Sequence, residues 1–209
     1  MIDFDLKLPP NKLLIGINGV AGSGKDSIAQ MLEDKLHFKY KIQTASLAEK
    51  LREELKDVVQ KNFLINVFTE DRCHKNLIRP ILVEWARVHR KQSHGLYFII
   101  HLKHKLNKLF KENDIVVVSD CRYKEYPFDE LDFFKLNGFL IHVSKIINVY
   151  GAEKILEGAN SDEQINDPLF EKEANYKIVW PEANRSILEK KVDHLINWLN
   201  KNNYLPPKR

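Results

Sequence analysis

Short apolar runs alternate with amphipathic stretches along this chain of 209 residues. The β-branched run 115–118 is typical of a strand that is buried on both faces of a parallel sheet. Stretches whose apolar residues recur every three or four positions predict helices, for example over 186–200. Because predicted strands and helices alternate, the pattern favours an α/β fold with a mainly parallel, five-stranded sheet and helices on both faces. The strands are predicted at 13–18, 41–45, 114–118, 139–143 and 176–180.

The chain is predicted to form a single domain over residues 1–209, because its length suits one domain and no internal repeat divides it. Residues 1–12, closed by two prolines, are predicted to form an N-terminal arm. Residues 148–166 are polar and contain two glycines, so we expect a mobile segment that forms a small lid. After the second strand, Ser46 is expected to cap a helix, and Glu49 is expected to complete a capping box.

Composition narrows the class of protein. The net charge of +4 suits small anionic substrates and lacks the strong, clustered excess that is typical of a nucleic-acid-binding protein. No apolar run is long enough to cross a bilayer, and the N-terminal sequence lacks a signal-peptide pattern. Two cysteines, Cys73 and Cys121, are too few for a disulfide framework, which favours a reducing, cytoplasmic compartment. We therefore expect neither a membrane nor a nucleic acid as partner, and a homodimer remains open.

A glycine-rich loop follows the first predicted strand and leads into a helical pattern. Residues 19–25 read Gly-x-x-x-x-Gly-Lys, the pattern of a P-loop, whose backbone N–H groups bind phosphates together with the helix N-terminus. Lys25 would place its charge on the β- and γ-phosphates of a nucleoside triphosphate such as ATP. The alternative is a glycine-rich turn that only connects strand and helix. The residues predicted to bind the triphosphate are Gly19, Ala21, Gly22, Ser23, Gly24, Lys25, Asp26 and Ser27.

Asp26 departs from the usual P-loop pattern, in which a Ser or Thr follows the lysine and ligates Mg²⁺. Here the hydroxyl comes one residue later, at Ser27, where P-loop proteins commonly contact the α-phosphate. A carboxylate so close to a triphosphate is repulsive unless Mg²⁺ or a role as a base compensates. Two hypotheses follow: Asp26 replaces the usual hydroxyl as a metal ligand, or it caps the helix and faces away.

A second polar cluster comes directly after the strand at 114–118. The carboxyl ends of parallel strands meet at one edge of a sheet, so Asp120 and Arg122 are expected close to the P-loop. There Asp120 is placed to hold Mg²⁺, directly or through water, and Arg122 is placed to bind phosphate. The alternatives are an aspartate that caps the turn after the strand and an arginine in a surface ion pair.

One predicted helix carries three arginines and a tryptophan. Arg79 and Arg90 are near one helical face, whereas Arg87 projects away from it. Two guanidinium groups on one face would suit a second, phosphorylated substrate, and a solvated basic face is the alternative. Trp85 is a candidate for stacking on a substrate base, although its spacing favours packing in the core. The apolar positions of this helix are Leu77, Ile81, Leu82, Trp85 and Val88.

Three stretches resemble the deoxynucleoside monophosphate kinases of phages and other viruses. They are residues 19–27, the helix from Arg79 to Arg90, and residues 118–123. The discriminating parts are the aspartate after the P-loop lysine and the Ser-Asp-x-Arg strand end, and residues 161–163 resemble that family more weakly. Animal-type phosphomevalonate kinases are similar in the same places, including one arginine six residues before a tryptophan and another five residues after it.

Both resemblances imply a three-layer P-loop kinase fold and transfer of the γ-phosphate of ATP to a phosphate oxygen, with ATP and Mg²⁺ as cofactors. The expected acceptor is a deoxynucleoside monophosphate, and the expected location is the cytoplasm, of a host cell if the protein is viral. Phosphomevalonate is the alternative acceptor, and a nucleotide-binding ATPase switch is the alternative of another class. The expected roles are catalysis for Lys25, Asp120 and Arg122, acceptor binding for Arg79, Arg90, Arg122 and Trp85, and metal binding for Asp26 and Asp120.

The predicted lid departs from nucleotide kinases with arginine-rich lids, because residues 148–166 contain no arginine. Either Lys25, Arg122 and Mg²⁺ balance the charge of the transferred phosphoryl group, or the lid lies elsewhere.

Overall fold

Five parallel strands form the centre of the fold in the computed structural model, which describes residues 4–207. With one antiparallel strand, the described residues form a six-stranded sheet of β1 (Leu13–Asn18), β2 (Ile42–Ala45), β3 (Ile115–Cys121), β4 (Phe139–Val149), β5 (Ala152–Ile155) and β6 (Tyr176–Pro181). The parallel strands lie in the order β2, β3, β1, β4, β6, and β5 pairs antiparallel with the end of β4 as a hairpin. The predicted parallel sheet is therefore confirmed, with one short antiparallel strand added. Residues 1–3 of the predicted arm lie outside the described residues.

Helices cover both faces of the sheet. Within the described residues they are α1 (Lys25–Leu36), α2 (Ala48–Phe63), α3 (Arg72–Ser93), α4 (Leu96–Glu112), α5 (Glu130–Asn137), α6 (Ser161–Glu173) and α7 (Arg185–Lys201). Successive side chains of β1 point to opposite faces of the sheet. Ile15 and Ile17 pack with α1 and α7 on one face, whereas Leu14 joins the core beneath α2 to α5 on the other. This arrangement confirms the predicted α/β class with helices on both faces.

The segment 148–166 contains more regular structure than the polar pattern suggested. It comprises the end of β4, the hairpin strand β5 and the first turns of α6. The start of α6 is capped by Asn160, whose Oδ1 accepts a hydrogen bond of 2.9 Å from the backbone N–H of Glu163. The apolar periodicity of the sequence does not reveal this helix, because the helix is largely polar and contains Pro168.

The helix α3 buries only part of the face that its apolar spacing predicts. Of the predicted positions, Ile81 and Leu82 pack, partly buried, against the core. Its buried residues are Ile78, Ala86 and Arg90, whereas Leu77 and Val88 are exposed. Trp85 is 40% exposed, so the expectation that it packs in the core is wrong. Arg90 shares the inward face of the helix, where its guanidinium forms buried ion pairs with Asp129 and Glu130.

The described part of the N-terminal arm lies along α5. Asn137 accepts a 2.5 Å hydrogen bond from the Leu6 N–H and donates one of 3.1 Å to the Phe4 carbonyl. The Leu6 side chain is buried in the core beneath α2 to α5, so this part of the arm contributes to packing. Of the helices in residues 4–207, none has the length and apolar character needed to cross a membrane.

Candidate active site

The glycine-rich loop connects β1 to α1 through a backbone that requires glycine. Gly19, Gly22 and Gly24 have φ angles of 147°, 81° and 103°, a region that L side chains rarely adopt. No side chain caps α1, and its N-cap is Gly24 itself. The N-terminal amides of the helix therefore face the loop mouth, where an anion can bind them.

The underside of the loop is packed too tightly for a side chain. A Cβ on Gly24 would lie 2.9 Å from the ring of Trp180, and one on Gly19 would lie 2.4 Å from the Val143 carbonyl oxygen. The Trp180 indole N–H also donates a 2.8 Å hydrogen bond to the Ser23 carbonyl. This support fixes the concave loop backbone, and the residues present fit a nucleoside triphosphate.

Lys25 lies at the base of the cradle with its ammonium group buried. Its Nζ donates hydrogen bonds of 2.6 Å and 2.7 Å to the carbonyl oxygens of Gly19 and Val20. Burial, reinforced by the positive charge of Arg122, lowers the pKa of Lys25 to about 8. The ammonium thus lacks full compensation by negative charge, which the phosphates of a bound nucleotide can supply.

Asp26 lies in the first turn of α1 but does not cap that helix. Its Oδ1 accepts a 2.7 Å hydrogen bond from the Ser119 hydroxyl on β3, which places both side chains beside the loop. Within residues 4–207, no group of three or more His, Cys, Asp or Glu side chains forms a metal cage. Mg²⁺ commonly needs only one or two carboxylates, together with substrate phosphates and waters. Asp26 and Ser119 fit that donor set.

Asp120 fixes the N-terminus of α2. Its carboxylate accepts hydrogen bonds from the Ser46 hydroxyl at 2.5 Å and from the backbone N–H groups of Leu47 and Ala48 at 2.8 Å and 2.9 Å. The predicted capping box at Ser46 is therefore wrong, because Ser46 donates its hydroxyl to Asp120, and Glu49 pairs with Lys105. Asp120 lies at the expected edge of the sheet, with both carboxylate oxygens accepting hydrogen bonds.

Arg122 follows β3, and carboxylates bind both its backbone N–H and its guanidinium group. Its backbone N–H donates a 2.6 Å hydrogen bond to Glu130, which also accepts the N–H of Tyr123 at 3.2 Å. Its guanidinium Nη1 lies 2.7 Å from the carboxylate of Glu163 on α6. The structure therefore brings Arg122 to the P-loop edge, as its position after β3 predicts.

Arg90 lies in a buried acidic network, apart from the exposed Arg79. Its guanidinium contacts Asp129 at 2.6 Å and Glu130 at 3.2 Å, and it stacks 3.8 Å from the centroid of the Tyr123 ring. Although burial opposes it, the charges of Glu130 and Asp129 raise the pKa of Arg90. The two arginines expected to share one phosphate-binding face are thus separated, and Arg90 supports the turn that carries Arg122.

Trp85, the last of the residues predicted to bind the acceptor, makes its contacts with other side chains of the protein. Its indole N–H donates a 3.1 Å hydrogen bond to Glu54 on α2. The ring lies 5.7 Å from that of His89, centroid to centroid. Trp85 therefore connects α3 to α2 along a partly exposed surface.

Three residues that shape the site were missed by reasoning from the sequence. Glu163 contacts the loop, Glu130 holds the turn after β3, and Trp180 supports the loop from below. The spacing of Asn160 and Glu163 is a helix-start signal that could have placed Glu163 in a first turn. Glu130 and Trp180 have no comparable local signal, because their contacts depend on how separate segments pack.

The solved structures that resemble this fold include two kinases. Shikimate kinase from Acinetobacter baumannii in complex with shikimate is 13% identical, with 92% of this chain and 96% of that chain covered and a TM-score of 0.44. Dephospho-CoA kinase from Campylobacter jejuni is 14% identical, with 92% and 98% covered and a TM-score of 0.49. At these values neither likeness bears on the substrate.

Comparisons of the sequence give one family. No curated protein matches the chain. The family model described as phosphomevalonate kinase matches residues 17–137, which is more than half of the chain. Since this match spans both the P-loop and the strand end with Asp120 and Arg122, the chain belongs to the phosphomevalonate kinase family.

Proposed function

We propose that this protein transfers the γ-phosphate of ATP to the phosphate group of a small phosphorylated acceptor, with phosphomevalonate as the first candidate. The observation that carries the proposal is the convergence of Lys25, Asp26 and Arg122 at one edge of the sheet. β1 and β3 are neighbours, and Asn18 at the end of β1 pairs with Cys121 at the end of β3, after a register shift that follows Gly16. The family match supports phosphomevalonate over other acceptors.

The chain's own groups have distinct parts in this proposal. The loop amides and the N-terminus of α1 bind the triphosphate, and Lys25 exchanges its two carbonyl partners for phosphate oxygens. Asp26 and Ser119 are the candidate ligands of Mg²⁺, which would neutralise charge on the β- and γ-phosphates when bound. Arg122 binds the acceptor phosphate in line with the γ-phosphate, so that positioning and electrostatics supply most of the acceleration.

We also propose that residues 148–166 act as a lid over the two substrates. The β4–β5 hairpin extends beyond the parallel sheet, and Leu156, directly after it, comes within 3.8 Å of the position of a Cβ on Gly22. A cover at this place would exclude water and suppress hydrolysis of ATP.

A deoxynucleoside monophosphate is the second candidate acceptor. It is favoured by the sequence pattern of Lys25-Asp26-Ser27 and by the Ser-Asp-x-Arg end of β3. Both candidate acceptors present a phosphomonoester to Arg122, so the site chemistry is shared between them.

The test measures ADP formation from Mg-ATP in three sets of reactions. These contain phosphomevalonate, each of the four deoxynucleoside monophosphates in turn, or no acceptor. We expect ADP and the diphosphate product with phosphomevalonate, and loss of both in the Lys25→Ala variant. ADP only with a deoxynucleoside monophosphate would support the second candidate. Equal ADP with and without acceptor would indicate an ATPase and overturn the proposed transfer.

A further inference from the structure

The carboxylate of Glu163 lies against the P-loop. Its side chain is only 8% exposed although it comes from the first turn of α6. Oε2 accepts hydrogen bonds from the backbone N–H groups of Ala21 at 3.2 Å and Ala159 at 3.1 Å, while Oε1 lies 2.7 Å from Arg122 Nη1. One carboxylate thus joins the loop, the turn after β3 and α6.

The donors around Glu163 are those that a phosphate group would use. A P-loop amide and a guanidinium group both favour anionic oxygens, and the negative charge of Glu163 also acts on Lys25. An anionic oxygen could therefore bind this P-loop amide and the Arg122 guanidinium in exchange for the carboxylate of Glu163.

We propose that Glu163 is a positioning residue that occupies the anion site of the P-loop and holds Arg122 until phosphate groups of the substrates displace it. This inference rests on the proposed function, since it assigns Arg122 to the acceptor. While Glu163 holds the guanidinium, Arg122 is not free to bind an acceptor phosphate in line with the loop. Displacement of Glu163 by substrate phosphates leaves the Arg122 guanidinium free to bind the acceptor phosphate.

The local backbone shows how the displacement reaches α6. Glu163 follows directly on the Asn160 cap, and a Cβ on Gly158 would lie 2.7 Å from the Cβ of Glu163. Asp162 is linked to α3 only through Arg87 at 3.4 Å, an exposed ion pair of the kind that contributes little. Release of Glu163 therefore removes the contact that joins the first turn of α6 and the end of the connector, parts of the proposed lid, to the P-loop.

The test measures binding, independently of turnover. Mg-ATP and inorganic tripolyphosphate are titrated calorimetrically into the wild-type protein, Glu163→Gln and Glu112→Gln. The glutamine at 163 keeps the shape and an acceptor oxygen but removes the charge that competes with phosphate. Glu112 is exposed at the end of α4, outside the site and the proposed lid, so Glu112→Gln removes the same charge without touching Arg122. We expect roughly tenfold tighter binding of both probes by Glu163→Gln, as for loss of a competing charged hydrogen bond, and unchanged binding by Glu112→Gln.

The outcomes separate this inference from the proposed function. Equal or weaker binding by Glu163→Gln would overturn the inference, and so would an equal gain in Glu112→Gln. Should Glu163→Gln fail to fold, Glu163→Asp keeps the charge but shortens the reach, and it should also bind both probes more tightly than the wild type. Failure of the proposed function shows instead as absence of acceptor-dependent ADP in the wild-type protein, whatever the titrations give.

Discussion

Binding of a triphosphate should draw a proton onto Lys25. Its pKa of about 8 is set by burial and by the positive charge of Arg122. The difference from the usual 10.5 corresponds to about 3 kcal/mol against the buried ammonium. Phosphate oxygens supply the opposite charge, so the pKa of Lys25 should return towards its usual value in the complex. Lys25, which is half deprotonated at pH 8 before the nucleotide binds, should then be almost fully protonated in the complex.

Calorimetric titration with Mg-ATP in two buffers of different ionisation enthalpy measures this uptake directly. We expect about half a proton per nucleotide at pH 8, about one tenth at pH 7 and about three quarters at pH 8.5. The terminal phosphate, with a second pKa of about 6, is already ionised and contributes little. Lys25→Arg is the matched control, because its guanidinium stays charged throughout. Uptake near zero at pH 8, or the same uptake in the control, would refute the reasoning.

The same group makes folding depend on pH. Because the folded-state pKa of Lys25 lies below that of the unfolded chain, the unfolded state binds more protons between pH 8 and 10.5. The free energy of unfolding should therefore rise through this window, by about 2 kcal/mol between pH 8 and 10. Urea denaturation of the wild type and of Lys25→Met isolates this contribution, and parallel pH profiles for the two would contradict it.

Three further predictions follow from the site. Asp26→Asn should raise the Mg²⁺ concentration for half-maximal activity by about tenfold, since it removes one of the one or two carboxylates that Mg²⁺ uses, whereas Asp120→Asn should mainly lower the melting temperature, since it weakens the cap of α2. Equal shifts of the Mg²⁺ titration in both variants would argue against this division. Arg90→Leu should lower the free energy of unfolding by about 3–5 kcal/mol, because it leaves buried carboxylates uncompensated. Arg90→Lys should recover part of that loss in urea denaturation, and no recovery would exclude a role for charge. Gly24→Ala should destabilise more than Gly151→Ala in thermal melting, since both glycines have positive φ but only the first would clash with the indole beneath it. Equal losses would show that backbone strain alone sets the cost.

The elements that the sequence predicts best are those specified by neighbouring residues. β1 lies at residues 13–18, as its pattern indicates, and the helical pattern after the loop forms α1. The P-loop is equally local, because its glycines, lysine and flanking elements lie within one short stretch. That Asp120 and Arg122 lie near the P-loop can also be predicted, because the carboxyl ends of parallel strands meet at one edge of the sheet.

The parts that escaped prediction depend on contacts between distant segments. The spacing of Arg90 says nothing about Asp129 or Glu130, which lie 39 and 40 residues away and bury its charge. Glu163 is 142 residues from its partner Ala21. A charged side chain is expected on the surface unless it is paired, so only the three-dimensional arrangement shows which charges the fold encloses.

The indole beneath the P-loop has a consequence for observing this protein in solution. Of the three tryptophans, Trp85 is partly exposed and Trp198 packs beside Phe139 and Tyr204. Trp180 alone among them contacts the phosphate-binding loop, through both its ring and its N–H. Its emission is therefore an intrinsic optical signal for loop rearrangement, and a chain with phenylalanine at the other two positions would report nucleotide arrival in real time without an added label.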